Sequence, residues 1–283
     1  MIKVLISAFL LSLSSIFSLA QVFPPSVEAK LVSNADLVEP GDTFNLGVVF
    51  AIEPGWHIYW KNPGASGLAT QVDFSVPQGF AIGNLNWPIP SSIKNPQGGI
   101  DYGYEQSLLL WSNIKVPDGA KIKDSHRISV NVSWVSCKDI CVPGSKTLIY
   151  DLKLGDETKQ NGSSIFTAWS NKLPTDINKT KKTFDVKVDT TKVKAKLYRV
   201  NLTIQSDTKL MSPQFFPNPG ENISIQDISY QTLSGDKGFV ISLDVIEKNK
   251  GSVKNAELDG LIVYNDQVGD RSALAITIDL DEI

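Results

Sequence analysis

The sequence predicts an all-β protein, built as two antiparallel β-sandwich domains joined by a short helix and a linker. Three observations predict it. Apolar and polar residues alternate in short runs through most of the chain, the pattern of half-buried strands. Pro, Gly, Asn and Asp clusters such as Glu39-Pro40-Gly41-Asp42 and Val116-Pro117-Asp118-Gly119 punctuate those runs, as turns do in sandwiches. One segment departs, Ser163 to Leu173, where Ile165, Phe166, Trp169 and Leu173 stand at helical spacing and Pro174 stops the helix. The 283 residues are enough for about two domains.

Composition narrows the function. Hydrophobic residues make up 42% and charged residues 20%, a globular balance rather than a disordered one. A mean hydropathy of -0.06 excludes a multi-span membrane protein. The formal charge of -3, with no basic cluster, excludes a nucleic-acid footprint. Two cysteines and two histidines exclude a Cys-rich scaffold and all but exclude a structural zinc site.

Residues 1–20 have the pattern of a secretory signal peptide. Lys3 supplies the charge, Val4 to Leu19 is apolar with serines, and Ser18-Leu19-Ala20 ends in small residues, so the mature chain is expected to start at Gln21. The alternative is an uncleaved N-terminal anchor. No later stretch is apolar enough to span a membrane, so the mature chain is expected to carry no transmembrane segment. Export places the two cysteines in an oxidising compartment, where a disulfide can form.

The first domain is expected over residues 21–157. Thr43 to Phe50 alternates, as does Ile128 to Trp134, with Ile128, Val130, Val132 and Trp134 on one face. Leu148, Tyr150, Leu152 and Leu154 repeat the pattern. Pro54-Gly55-Trp56-His57-Ile58-Tyr59-Trp60 carries three aromatics in five residues and reads more readily as core packing than as a ligand platform. Asp101-Tyr102-Gly103-Tyr104-Glu105 follows Gly98-Gly99 and is expected to be a flexible aromatic loop. The helix and a polar linker occupy 158–182, ending in Asn178-Lys179-Thr180-Lys181-Lys182. The second domain, 183–283, alternates again at Val200, Leu202 and Ile204, at Phe239, Ile241, Leu243 and Val245, and at Leu274, Ile276, Ile278 and Leu280. It has no cysteine or histidine.

The chemistry sits in Cys137-Lys138-Asp139-Ile140-Cys141, between one strand and an expected turn, Val142-Pro143-Gly144, that leads into the next. Three intervening residues bring two sulfurs within bonding reach. On spacing alone a redox pair, a structural staple and a metal site stay open. A closed loop of about five residues stabilises by only ~2 kcal/mol, whereas one of about 70 residues would give ~4. A local disulfide is thus a poor staple, and an accessible one is more readily reduced. For metal, His57 and His126 are the available partners, but Cu(I) sites favour Cys and Met. The mature chain's single methionine, Met211, lies in the other domain. No metal site is expected.

Four motifs occur in order: Pro54 to Gly64, Asn86-Trp87-Pro88, Tyr102 to Glu105, and Trp134 to Gly144. Together they make the chain resemble the N-terminal periplasmic domain of DsbD-type thiol:disulfide interchange proteins, especially the copper-tolerance ScsB branch. Ser212-Pro213-Gln214-Phe215-Phe216-Pro217 and Leu258-Asp259-Gly260-Leu261 resemble that branch's second β domain. The resemblance implies immunoglobulin-like sandwiches and electron shuttling in the bacterial periplasm without a cofactor. It implies that Cys137 and Cys141 are the redox pair, reduced by a membrane-embedded donor and passing electrons to thioredoxin-fold proteins. It assigns Cys141 as the attacking, partner-facing thiol and Cys137 as the resolving one. Relatives cap the pair with an aromatic loop, for which Tyr102 and Tyr104 are the candidates. Those proteins continue into a membrane domain. This chain, ending at Ile283, is expected to work with a separately encoded membrane reductase, or only to bind. The rival reading is a non-enzymatic periplasmic binding module with a structural disulfide.

Overall fold

A computed structural model describes residues 26–162, 164–180, 184–249 and 257–280. The signal peptide expected at 1–20, and Lys181–Lys182 of the linker, lie outside the described residues. In chain order the first half forms β1 (Val27–Ser33), β2 (Ala35–Leu37), β3 (Thr43–Ile52), β4 (His57–Gly64), β5 (Gln71–Ser75) and β6 (Ala81–Ile82). It continues with β7 (Ser91–Lys94), β8 (Ile100–Glu105), β9 (Ser107–Lys115), β10 (His126–Cys137), β11 (Cys141–Leu152) and β12 (Lys159–Gln160). After α1 (Ile165–Ser170) come β13 (Thr175–Asp176), β14 (Phe184–Lys194), β15 (Leu197–Ser206) and β16 (Met211–Pro219). The chain then forms β17 (Ile223–Thr232), β18 (Gly238–Glu247), β19 (Glu257–Asn265) and β20 (Arg271–Asp279).

These strands build two immunoglobulin-like sandwiches. In the first, a sheet ordered β1-β3-β9-β6 faces a sheet ordered β11-β10-β4-β8-β7, with β5 also paired to β10. The alternating faces supply the core: Phe44, Leu46, Val48 and Phe50 from one sheet meet Ile58, Trp60, Ile128 and Val130 from the other. Burying each such side chain stabilises by about 1.5–3 kcal/mol. The second sandwich stacks β13-β20-β19-β16 on β14-β15-β18-β17 around Val200, Leu202, Phe239, Ile241, Ile262 and Ile276.

Helix α1 is shorter than its sequence pattern and covers the outer face of the first sandwich, where Phe166 packs on Leu109 and Trp111. Gly47 makes room there, since a Cβ on it would lie 2.7 Å from Trp111 Cβ.

The two sandwiches share an apolar interface. Phe216 and Leu261 join the core cluster of the first sandwich. The Phe216 ring sits 5.0 Å from Tyr102 and 6.3 Å from Trp60, centroid to centroid. Asn62 Nδ2 donates to Pro217 O at 2.5 Å, and Arg271 donates to Pro90 O at 2.6 Å. Strand β19 is buried on both faces: Ile262 and Tyr264 enter its own core, Leu261 and Val263 the interface. Thr175 and Asp176, in the expected linker, pair in parallel with β20 of the second sandwich.

Two local expectations change. The loop expected at 101–105 is strand β8, because Tyr102 and Tyr104 alternate onto the apolar face and Gly103 lets β4 approach closely. A Cβ at Gly103 would lie 2.2 Å from Ile58 O. The turn expected at Val142-Pro143-Gly144 is instead the first stretch of β11, an edge strand, where proline costs no inner ladder bond.

Candidate functional site at the Cys137–Cys141 hairpin

Strand β10 pairs with β11 without a bulge, from His126↔Leu152 to Cys137↔Cys141. The cysteines are therefore the last directly opposed pair before a three-residue turn, closed by Lys138 N–H donating to Ile140 O at 3.1 Å. They form a disulfide. Side chains alternate along β10, so Trp134 and Ser136 point inward while Val135 and Cys137 point to the outer face. Gly144 stands opposite Trp134, and its missing Cβ, which would lie 2.4 Å from the indole, lets the ring lie across β11.

The two sulfurs differ in access. Cys137 is 3% exposed, whereas Cys141 is exposed at the start of the edge strand. At the same end of the hairpin a groove of about 480 Å³ is lined by Trp56, Trp134, Ser136, Ile140 and Val142, with Lys138 and Asp139; it lies on the inner-face side, and neither cysteine lines it. Ile140 is 58% exposed. Ser26 and Ser136 hydroxyls, 2.7 Å apart, and the Ser136 hydroxyl donating to Val142 O at 3.2 Å, tie the groove floor to β1 and β11. An exposed cysteine at the start of an edge strand, bonded to a buried one, suits attack by another protein's thiolate.

Tyr102 and Tyr104 lie on the other side of this sheet. Cys137 pairs with His57, and His57 with Glu105, so Cys137, His57 and Glu105 share the outer face. Ile58 pairs with Tyr104 on the inner face. The Tyr104 hydroxyl donates to Pro88 O at 2.7 Å inside the core, and burial pushes its pKa well up. Tyr102 packs on Phe216 at the sandwich interface, where burial raises its pKa to about 12. Neither lines the groove at the end of the hairpin.

The register instead brings a polar cluster to the disulfide's face that the sequence reading did not single out. Asp101 is 1% exposed and accepts from Ser66 N at 2.9 Å, Ser66 Oγ at 2.8 Å and Asn95 Nδ2 at 3.0 Å. The Tyr59 hydroxyl donates at 3.5 Å to Oδ2, which the Ser66 hydroxyl also reaches. His57, 6% exposed, stands between this carboxyl group and Cys137, with Nε2 3.7 Å from Asp101 Oδ2. The alternation of His57 with Tyr59, and of Asp101 with Gly103 and Glu105, is the only sequence signal for the cluster. His126 is eleven residues from Cys137 along β10, on the order of 35 Å. His126 therefore does not join His57 at the cysteines. Among the described residues no group of three His, Cys, Asp or Glu side chains could hold a metal ion. No described helix is long and apolar enough to cross a membrane.

Residues 25–153 match the family described as "Thiol:disulfide interchange protein DsbD, N-terminal". No curated protein matches the chain in sequence. Among solved structures, the N-terminal periplasmic domain of ScsB from Proteus mirabilis superposes with a TM-score of 0.64 at 15% identity. That match covers 90% of this chain and 94% of that one, so the likeness in fold runs through both sandwiches. A conserved domain protein from Bacillus anthracis (10% identity, TM-score 0.22, 91% and 88% covered) and bovine butyrophilin (12%, 0.20, 88% and 98%) also align. Those two scores carry no argument about fold.

Proposed function

From the premise that residues 25–153 are a DsbD-type N-terminal domain, we propose that the chain is a periplasmic protein that exchanges electrons with thioredoxin-fold partners through Cys137 and Cys141. The observation that carries this reading is the asymmetry of the disulfide: an exposed Cys141, at the start of an edge strand, bonded to a buried Cys137.

The exchange follows from that asymmetry. In the accepting direction a donor's thiolate attacks Cys141 Sγ, forming a mixed disulfide. The Cys137–Cys141 bond breaks, and Cys137 leaves as a thiolate and takes a proton. A second donor thiolate then attacks the donor sulfur of the mixed disulfide and releases Cys141 as a thiolate. Two electrons have passed to the pair, and the donor has become a disulfide. In the delivering direction the Cys141 thiolate attacks an acceptor's disulfide. Cys137 then attacks Cys141 Sγ, restoring the internal bond and releasing the acceptor as a dithiol. The exposed cysteine, Cys141, meets the partner in both directions, which is the order that the family resemblance implies. The membrane-embedded donor, the export signal cleaved after Ala20 and the periplasmic location belong to this reading.

Trapping tests it. Cys137→Ala removes the resolving thiol, so a thioredoxin-fold acceptor disulfide should accumulate as a mixed disulfide on Cys141. Cys141→Ala should trap little. If neither variant traps a partner, and the bond has a potential below about -300 mV, in the structural range, the binding-module reading replaces this one.

A further inference from the structure

We propose that His57, backed by Asp101, takes the proton from the Cys137 thiol when that thiol resolves the mixed disulfide on Cys141. The inference rests on the exchange function proposed above and assigns a residue to one of its steps. Strands β10 and β4 meet at a single pair, Cys137↔His57. Directly opposed residues share a face, with Cβ atoms about 4.5–5.5 Å apart. Both side chains are buried, so bulk water is poorly placed to collect the proton.

The imidazole is fitted for the task. Its Nε2 is buried and has no hydrogen-bond partner, although Asp101 Oδ2 is 3.7 Å away. A buried polar atom left unpaired is uncommon and calls for an explanation. Ser66 N and Asn95 Nδ2 hold Asp101 Oδ1, and Ser66 Oγ donates to Oδ2, the oxygen that faces His57, so Asp101 is a fixed acceptor that an imidazolium can pair with. Gly67 closes over the Tyr59 ring, where a Cβ would lie 2.1 Å from the nearest ring carbon, and Tyr59 stacks edge-on to His57 at 5.1 Å. The groups facing His57 are Asp101 and Glu105 from β8, Tyr59 from its own strand and Cys137 from β10; Lys138 lies against nearby Gly55. Burial lowers the His57 pKa, and Asp101 and Glu105 only partly counter it. Burial therefore favours the neutral ring, the form able to accept a proton.

The step balances. The Cys137 S–H proton passes to His57, the thiolate attacks Cys141 Sγ, the internal S–S bond forms and the bond to the partner sulfur breaks. The partner sulfur leaves as a thiolate, and the imidazolium, paired with Asp101, later returns its proton to water. Two electrons leave the Cys137/Cys141 dithiol and reduce the partner's disulfide.

The test is stopped-flow oxidation of the reduced full chain by one equivalent of 5,5′-dithiobis(2-nitrobenzoate). Attack by Cys141 releases the first thionitrobenzoate, and closure by Cys137 releases the second. His57→Gln should leave the first phase unchanged and slow the second about 100-fold, the low end for a positioned proton acceptor. It should also erase the acid-side inflection from the second phase's pH profile. Closure with unchanged rate and profile overturns the proposal. Should His57→Gln lose its fold, NMR titration of the wild-type His57 ring decides. Reduction of the disulfide should shift that titration, and identical titrations in both states overturn the proposal. Because closure needs no protein partner, a wild type that closes normally but never exchanges with a thioredoxin-fold disulfide would overturn the proposed function instead.

Discussion

Reducing the Cys137–Cys141 bond should cost the fold only about 2 kcal/mol. The bond closes a loop of about five residues, since the cysteines are four apart in sequence. The loop-entropy relation then gives close to 7 cal/mol/K, or about 2 kcal/mol at 25 °C. Little else should change, because the eleven other β10/β11 pairs, from His126↔Leu152 to Ser136↔Val142, do not depend on the sulfurs. The assay is urea unfolding of the oxidised and the reduced chain, followed by tryptophan fluorescence. With a slope of about 3 kcal/mol/M, the midpoint should fall by roughly 0.7 M. By linkage the same 2 kcal/mol lowers the reduction potential by only about 40 mV relative to an unconstrained dithiol. That leaves the pair within reach of a reducing partner. A loss of about 4 kcal/mol or more, or unfolding on reduction, would refute this reasoning and mark the bond as a structural staple.

Two further outcomes concern the rest of the molecule. Phe216→Ala, at a fully buried ring that joins the two sandwiches, should destabilise by about 3–5 kcal/mol. A wild-type chain nicked by limited proteolysis at Lys179 should stay together on size exclusion, whereas the nicked variant should separate. A nicked wild type that falls apart would show that the shared apolar interface is weak. Burial lowers the folded-state pKa of His57 below its unfolded value near 6.5. Between those two values the unfolded chain binds more protons, so this stability is complete above about pH 6.5 and is lost as pH falls through the folded-state value. Unfolding free energies measured from pH 8 to 4 should show that decline, and His57→Gln should flatten it; an unchanged slope would show that other groups cause it.

Much of the architecture was legible because strand signals are local. The alternation at Thr43–Phe50, Ile128–Trp134 and Phe239–Val245 marks strands whose apolar faces are buried in the sandwich cores. Helical spacing at Ile165, Phe166 and Trp169 marks the one described α-helix. The misreadings were local as well. Gly98-Gly99 ahead of Asp101 and Pro143-Gly144 after Cys141 look like loop chemistry. In the structure Gly103 and Gly144 answer to neighbouring strands, one to the Ile58 carbonyl and the other to the Trp134 ring. A glycine that serves a turn and one that serves a close approach are the same letter, and only the neighbour tells them apart.

By itself the sequence determined the fold class, the strand faces and the nearness of Cys137 to Cys141, because period-two alternation and a three-residue gap are properties of short segments. Tertiary structure alone decided what stands beside them. It set His57 against Cys137 across eighty residues of chain, turned Asp101 toward His57, sent Tyr102 and Tyr104 to the opposite face, and locked Phe216 between Trp60 and Tyr102. The reason is register: a slip of one residue between distant strands would exchange every inner side chain for an outer one, and only simultaneous packing of both sheets selects the pairing.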